Sequence, residues 1–157
     1  MACSVDKKWL RLAIEEAQKA MEEGEIPVGA VIVQGDRLIA RAHNRCVNDS
    51  DATAHAERLA IEAACRTLGT WRLSDCTLYV TLEPCPMCAG AAINARISRI
   101  VFAAKDPRAG ALGSLLDLTE FPLEASPTCE NGLLAEESLA LLRVFFANMR
   151  QKSKKTE

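Results

Sequence analysis

The order in which hydrophobic periods change along this chain limits its fold more tightly than any other feature. Residues 6–23 carry Trp9, Leu10, Ala13, Ile14, Ala17 and Met21 at helical spacing, with Asp6 placed to cap the start and Gly24 to end the helix. Residues 28–34 and 37–43 are strand segments joined across Gly35-Asp36 as a hairpin, although Leu38, Ala40 and Ala42 alternate less cleanly. A polar loop, 44–51, leads to a second helix over 54–68 that stops before Gly69. Then come a buried strand at 77–82, a short alanine-rich helix at 86–95, a strand at 99–104 and a Gly/Pro loop at 106–113. Residues 118–131, interrupted by Pro122 and Pro127, read as irregular with room for a short edge strand, and 134–149 as the closing helix. A hairpin makes antiparallel neighbours, whereas strand–helix–strand needs a crossover and makes parallel ones. The expected fold is α/β: a single mixed sheet, an antiparallel hairpin plus parallel strands, sandwiched by helices.

A chain of 157 residues, 49% hydrophobic, suits one core, so a single domain is expected over 1–157, its core about 5–150 and its tail 151–157 basic. No apolar run approaches the ~18 residues of a membrane span, and the start turns charged at once, which points to the cytoplasm and away from membranes. In that reducing compartment the seven cysteines should mostly be thiols. The net charge of −2 means that any grip on nucleic acid must be local. Arg143, Arg150, Lys152, Lys154 and Lys155 form a basic run without an acid; equally, such cations suit a solvated helix end.

Two stretches have metal-ligand character: Thr53-Ala54-His55-Ala56-Glu57 and Glu83-Pro84-Cys85-Pro86-Met87-Cys88. A Cys-x-x-Cys pair or a His-x-Glu alone is weak, but both at helix starts, with proline before the first cysteine, is a strong signal. Two cysteines three apart can face one ion from the first turn of a helix, where amide donors and the dipole favour thiolate. His55 adds a nitrogen. Three protein ligands leave one tetrahedral position for water, the pattern of a catalytic zinc, one Zn2+ per chain. Water there ionises near neutral pH, and Glu57, two residues from His55, would sit beside it as proton carrier. A closed structural site would need His43 or Cys46 as a fourth ligand, and neither makes a recognisable pair with the other three. The remaining cysteines, Cys3 and Cys46 among them, read as small core or surface residues.

These motifs resemble the signature of the cytidine deaminase superfamily. Ile26-Pro27-Val28-Gly29-Ala30-Val31, Ala42-His43-Asn44-Arg45, Leu78-Tyr79-Val80-Thr81-Leu82-Glu83-Pro84-Cys85 and Gly110-Ala111-Leu112-Gly113-Ser114-Leu115 bring the likeness closer to the bacterial tRNA-specific adenosine deaminases. The resemblance implies a cytidine-deaminase-like fold and a homodimer that converts the wobble adenosine of an arginine tRNA to inosine. His55, Cys85 and Cys88 would hold zinc, Glu57 would shuttle protons, and Asn44 would contact the flipped base or its sugar. Val28, Ala54 and Leu82 would line the pocket, while Asp106, Lys105 and Arg108 would meet the flanking nucleotides of the anticodon stem-loop. For Asp106 the plainer reading is a loop residue capping its own turn.

The sequence departs from that family in places. Ala52 stands where proline is usual, Ala147 and Asn148 where arginine is usual, and 124–131 lacks the usual Asn-His pair and Val/Ile-rich strand. Two alternatives follow: a deaminase of a free base or nucleoside of guanine or cytosine type, and a catalytically inactive, zinc-stabilised RNA-binding subunit. An intact Glu57 argues against the second.

Overall fold

The computed structural model describes residues 2–156, and their strands form one sheet in the order β2-β1-β3-β4-β5. The hairpin pairs β1 (Gly29–Gln34) with β2 (Arg37–His43), and β1 lies antiparallel to β3 (Cys76–Leu82). Beyond it β4 (Arg99–Ala104) and β5 (Thr128–Asn131) run parallel to β3. This is the mixed sheet expected from the periodicities. The imperfect alternation in β2 has a local cause. The register jumps from Ile32 opposite Ala40 to Val33 opposite Leu38, leaving Ile39 as the extra residue of a bulge.

Each sheet face is covered. Ala30, Ile32, Leu78, Val80, Ile100 and Phe102 point to one side, where α2 (Ala56–Leu68) and α3 (Pro86–Asn94) bring small residues such as Ala60, Ala64, Ala89 and Ala92. Val31, Val33, Tyr79, Val101 and Ala103 point to the other, onto Trp9, Leu10 and Ala13 of α1 (Ala2–Glu22). The fourth helix, α4 (Ala135–Lys155), lies beside α1 on that face, where Ser138 Oγ donates to the Thr81 carbonyl at 2.6 Å. Every fully buried aliphatic side chain is worth about 1.5–3 kcal/mol, so this alternation outweighs local propensity. At Gly29, α1 comes so close that a Cβ would run into the Ala13 carbonyl, so only glycine fits.

Two expectations need correction. First, α1 starts at Ala2, so Asp6 lies inside the helix and does not cap it. Its buried carboxylate takes Arg99 Nη1 and Nη2 at 2.8 and 2.7 Å and the Tyr79 hydroxyl at 2.8 Å. Second, α4 runs on to Lys155, so 151–155 are helical and not a frayed tail. The segment read as irregular with room for a short edge strand does hold one, the four-residue β5 at the sheet edge, along with a helical turn at Leu118–Glu120. Of the β5 side chains only Cys129 packs on the core. Main-chain pairing and the Arg99–Glu130 ion pair at 2.7 Å hold the strand, which has no Val or Ile. No helix among the described residues is long and apolar enough to cross a membrane.

Arg99 thus ties α1, β3 and β5 to β4, and its guanidinium holds the Asp6 carboxyl below the usual carboxylate range. Asp6→Asn should cost about 3 kcal/mol in urea unfolding at pH 7, because a buried pair loses one partner. A depressed folded-state pKa contributes stability above the unfolded value of about 3.9 and loses it as pH falls through the folded value. The gap between wild type and D6N should therefore be constant above about pH 5 and narrow on further acidification.

Candidate active site

Two helix starts converge at the carboxyl end of β3. His55 is the N-cap of α2 and Cys85 the N-cap of α3, followed by Pro86 in the first turn, where a missing N–H costs nothing. Neither side chain makes a capping hydrogen bond, so both are free to face each other across the gap between the helices. The end of β2 supplies the missing cap: Asn44 Oδ1 accepts the Ala56 N–H at 2.8 Å. His55 Nδ1 stands 3.6 Å from Cys85 Sγ and 3.5 Å from Cys88 Sγ, and the three ligand atoms lie within 4.8 Å of one another. Zinc bond lengths of about 2.3 Å to sulfur and 2.0–2.1 Å to nitrogen, at a tetrahedral angle, require N···S separations of about 3.5–3.6 Å. The residues present therefore fit a tetrahedral metal. His43 does not join them, since its two ring nitrogens face Glu16 at 3.3 Å and Glu23 at 3.0 Å.

Charge is organised by hydrogen bonds and burial. The Cys88 thiol and the His55 ring, both hydrogen-bonded to Cys85, bring that thiol down to about 4. Through the same contacts His55 is raised, as is Cys88, which is also buried. Glu57 is buried on the first turn of α2, and burial pushes its carboxyl up to about 7. Cys46, Cys65, Cys76 and Cys129 are free thiols, and desolvation raises each of them; the side chain of Cys3 lies outside the described residues.

Above this floor opens a cavity of about 460 Å³, within the range of small-ligand sites. Of the residues singled out from the sequence, Val28, Asn44, His55, Glu57, Leu82, Cys85 and Asp106 line it. Cys88 is buried in the floor. Ala54 is fully buried and absent from the lining; its carbonyl instead accepts the Arg45 N–H at 2.9 Å. Lys105 is exposed outside the cavity, and Arg108 lines a neighbouring groove with Arg143, Phe146 and Arg150. Asp106 does cap its own turn, accepting the N–H groups of Arg108 at 3.0 Å and Ala109 at 3.3 Å, while it also lines the cavity.

The cavity has walls that sequence reasoning did not single out. Phe145, Phe146 and Met149 of α4 form one, and Glu25, Ile26, Cys46 and Val47 another. Glu25 is buried and shapes that second wall by accepting the Val47 and Asn48 N–H groups at 3.1 and 2.8 Å. The adjacent aromatic pair at 145–146, among the apolar residues of α4, was the available signal for the first. Buried acids such as Glu25 carry no comparable mark.

The chain belongs to the MafB19-like deaminase family, whose pattern it matches over residues 5–150. It is 47% identical over 150 residues to the tRNA-specific adenosine deaminase of Bacillus subtilis (strain 168), spanning 95% of this chain and 93% of that one. A solved structure from work on A-to-I editing by tRNA:A34 deaminases at the wobble position superimposes with a TM-score of 0.84 at 44% identity, covering 86% of this chain and 99% of that one. The guanine deaminase of Nitrosomonas europaea is more distant, with a TM-score of 0.75 at 28% identity over 90% of this chain and 84% of that one.

If the triangle of donors is the metal centre, deleting one corner should empty it. Cys88→Ala is expected to retain less than a tenth of the zinc that the parent protein holds after equilibrium dialysis, read by elemental analysis. Full zinc retention would exclude Cys88 as a ligand.

Proposed function

We propose that this protein hydrolyses the exocyclic amine of the wobble adenosine in a tRNA anticodon stem-loop, an arginine tRNA by family resemblance, releasing ammonia and leaving inosine. The observation that carries the reading is the buried carboxyl of Glu57 beside the His55–Cys85–Cys88 triangle on the floor of a base-sized cavity. Its support in kind is the 47% identity to a tRNA-specific adenosine deaminase. We read residues 1–157 as a single deaminase domain acting in the reducing cytoplasm as a homodimer.

His55, Cys85 and Cys88 would hold one Zn2+ per chain. Zinc there supplies Lewis acidity, which brings the ionisation of water into the neutral range. Glu57 is the catalytic residue: its carboxylate takes a proton from the attacking water and returns it to the departing nitrogen. Asn44 Oδ1 is committed to the Ala56 N–H, so contact with the flipped base or its sugar falls to Nδ2. Val28 and Leu82 give apolar walls to the base, with Ala54 packed behind them. Asp106 lines the cavity, Lys105 and Arg108 beside it would meet the flanking nucleotides, and the groove holding Arg108, Arg143 and Arg150 would continue that path for phosphates.

A second reading, deamination of a free guanine-type base, is favoured by the net charge of −2 and by the likeness to a guanine deaminase. Ammonia release decides between them, with an anticodon stem-loop carrying the wobble adenosine and a panel of free bases offered side by side. Turnover on the stem-loop alone supports the first reading, and turnover on a free base alone supports the second.

Glu57→Ala should keep its zinc and lose about 10²–10⁴-fold in kcat; retained activity would remove Glu57 from the mechanism. Truncation after Met149 deletes Arg150, Lys152, Lys154 and Lys155. It should weaken stem-loop binding and lower the slope of log affinity against log salt by about 0.7 for each phosphate that the truncated protein no longer neutralises. An affinity that ignores salt in both proteins would argue for a small-molecule substrate.

A further inference from the structure

Glu83 follows the last residue of β3, two residues before Cys85; it is buried and is not one of the clustered metal donors. Its two oxygens instead gather the 106–114 loop. Oε1 accepts the Asp106 N–H at 3.2 Å and the Ser114 hydroxyl at 2.5 Å. Oε2 accepts the Leu112 N–H at 3.0 Å and the Ser114 N–H at 3.2 Å. The bonds come from both ends of the loop, and three of the four donors are main chain. Gly110 closes over the same carboxyl so tightly that a Cβ there would collide with Glu83 Cδ and Oε2. One residue on, the Pro84 carbonyl accepts the Ala111 N–H at 2.9 Å.

We propose that Glu83 is a positioning residue for substrate selection, holding the 106–114 loop in register with the Cys85–Cys88 turn so that Asp106 and Ala109 stand at a set height over the cavity. The proposal rests on the reading that this loop meets the nucleotides flanking the reacting base. A buried acceptor that serves backbone donors is expensive to replace, because each unpaired N–H must be desolvated without return. The loop's outward side chains can therefore vary without moving its main chain. Glutamine at 83 is a selective probe. Its oxygen can keep the Leu112 and Ser114 N–H groups, and its NH2 can face the Ser114 hydroxyl, which accepts. That same NH2 then opposes the Asp106 N–H, so the end of the loop nearest the cavity is the part released.

The test compares zinc-loaded wild type, Glu83→Gln and Ser114→Ala by metal content, amide hydrogen exchange and stem-loop kinetics. For Glu83→Gln the expected result is unchanged zinc, exchange across 106–114 at least tenfold faster with β3 and β4 unaffected, and KM for the stem-loop raised at least tenfold. Its kcat should fall less than threefold. Ser114→Ala should shift exchange and KM the same way by two- to fivefold, and it carries the test if Glu83→Gln does not fold. Unchanged exchange at 106–114 would overturn the proposal, as would lost zinc or a fall in kcat at constant KM. If wild type does not process the stem-loop at all, the proposed substrate fails, while the exchange arm still decides whether Glu83 sets the loop.

Discussion

Parallel pairing of β3 with β4 is the constraint from which the site follows. Two neighbouring strands can run the same way only if the chain returns across the sheet, and here the return is α3. The first turn of α3 must then sit at the carboxyl end of β3, where Cys85 and Cys88 are. The β1–β2 hairpin delivers the chain to the same end at Asn44, and α2, packed on the same sheet face as α3, begins there with His55. The two positive dipole ends meet over a gap a few ångströms wide, and they favour thiolate sulfur and other anionic groups at the floor of the cavity. Alanine at 60, 64, 89 and 92 lets both helices lie close enough to the sheet for that meeting.

Within this frame Asn44 has a double part. Its carbonyl oxygen does for α2 what the N-cap side chain does elsewhere, which releases His55 from capping and leaves the ring to face the sulfurs. Glu57 gains its surroundings from the same turn. A carboxyl buried one turn into a helix, with no basic side chain among its hydrogen bonds, has its neutral form favoured by desolvation. A helix start that carries both a metal donor and a buried acid thus depends on a cap reached from another strand.

The fold and the donors were largely legible because period and spacing record them. Alternating residues on β1, β3 and β4, the Gly35-Asp36 turn, and His55, Cys85 and Cys88 at helix starts all leave marks in the order of residue types. What was missed leaves none. Asp6 resembles a helix cap until Arg99, far along the chain, is seen to claim its carboxylate. The bulge at Ile39 arises from strand register. The wall made by Phe145 and Phe146 depends on how α4 crosses the sheet, which helical spacing does not specify. Ala54 shows the converse limit: a position beside His55 in sequence is fully buried in the loop before α2 and does not reach the cavity.

That aromatic wall has a consequence for the order of events during synthesis. His55, Cys85 and Cys88 lie between 55 and 88, and β1, β2 and β3 are all synthesised by residue 82, whereas Phe145, Phe146 and Met149 emerge from the ribosome well afterwards. A growing chain therefore has all three residues of the His55–Cys85–Cys88 triangle before it has the residues that wall the pocket. The triangle of donors and the enclosed cavity are thus supplied at different times, and an unfinished chain carries the first without the second.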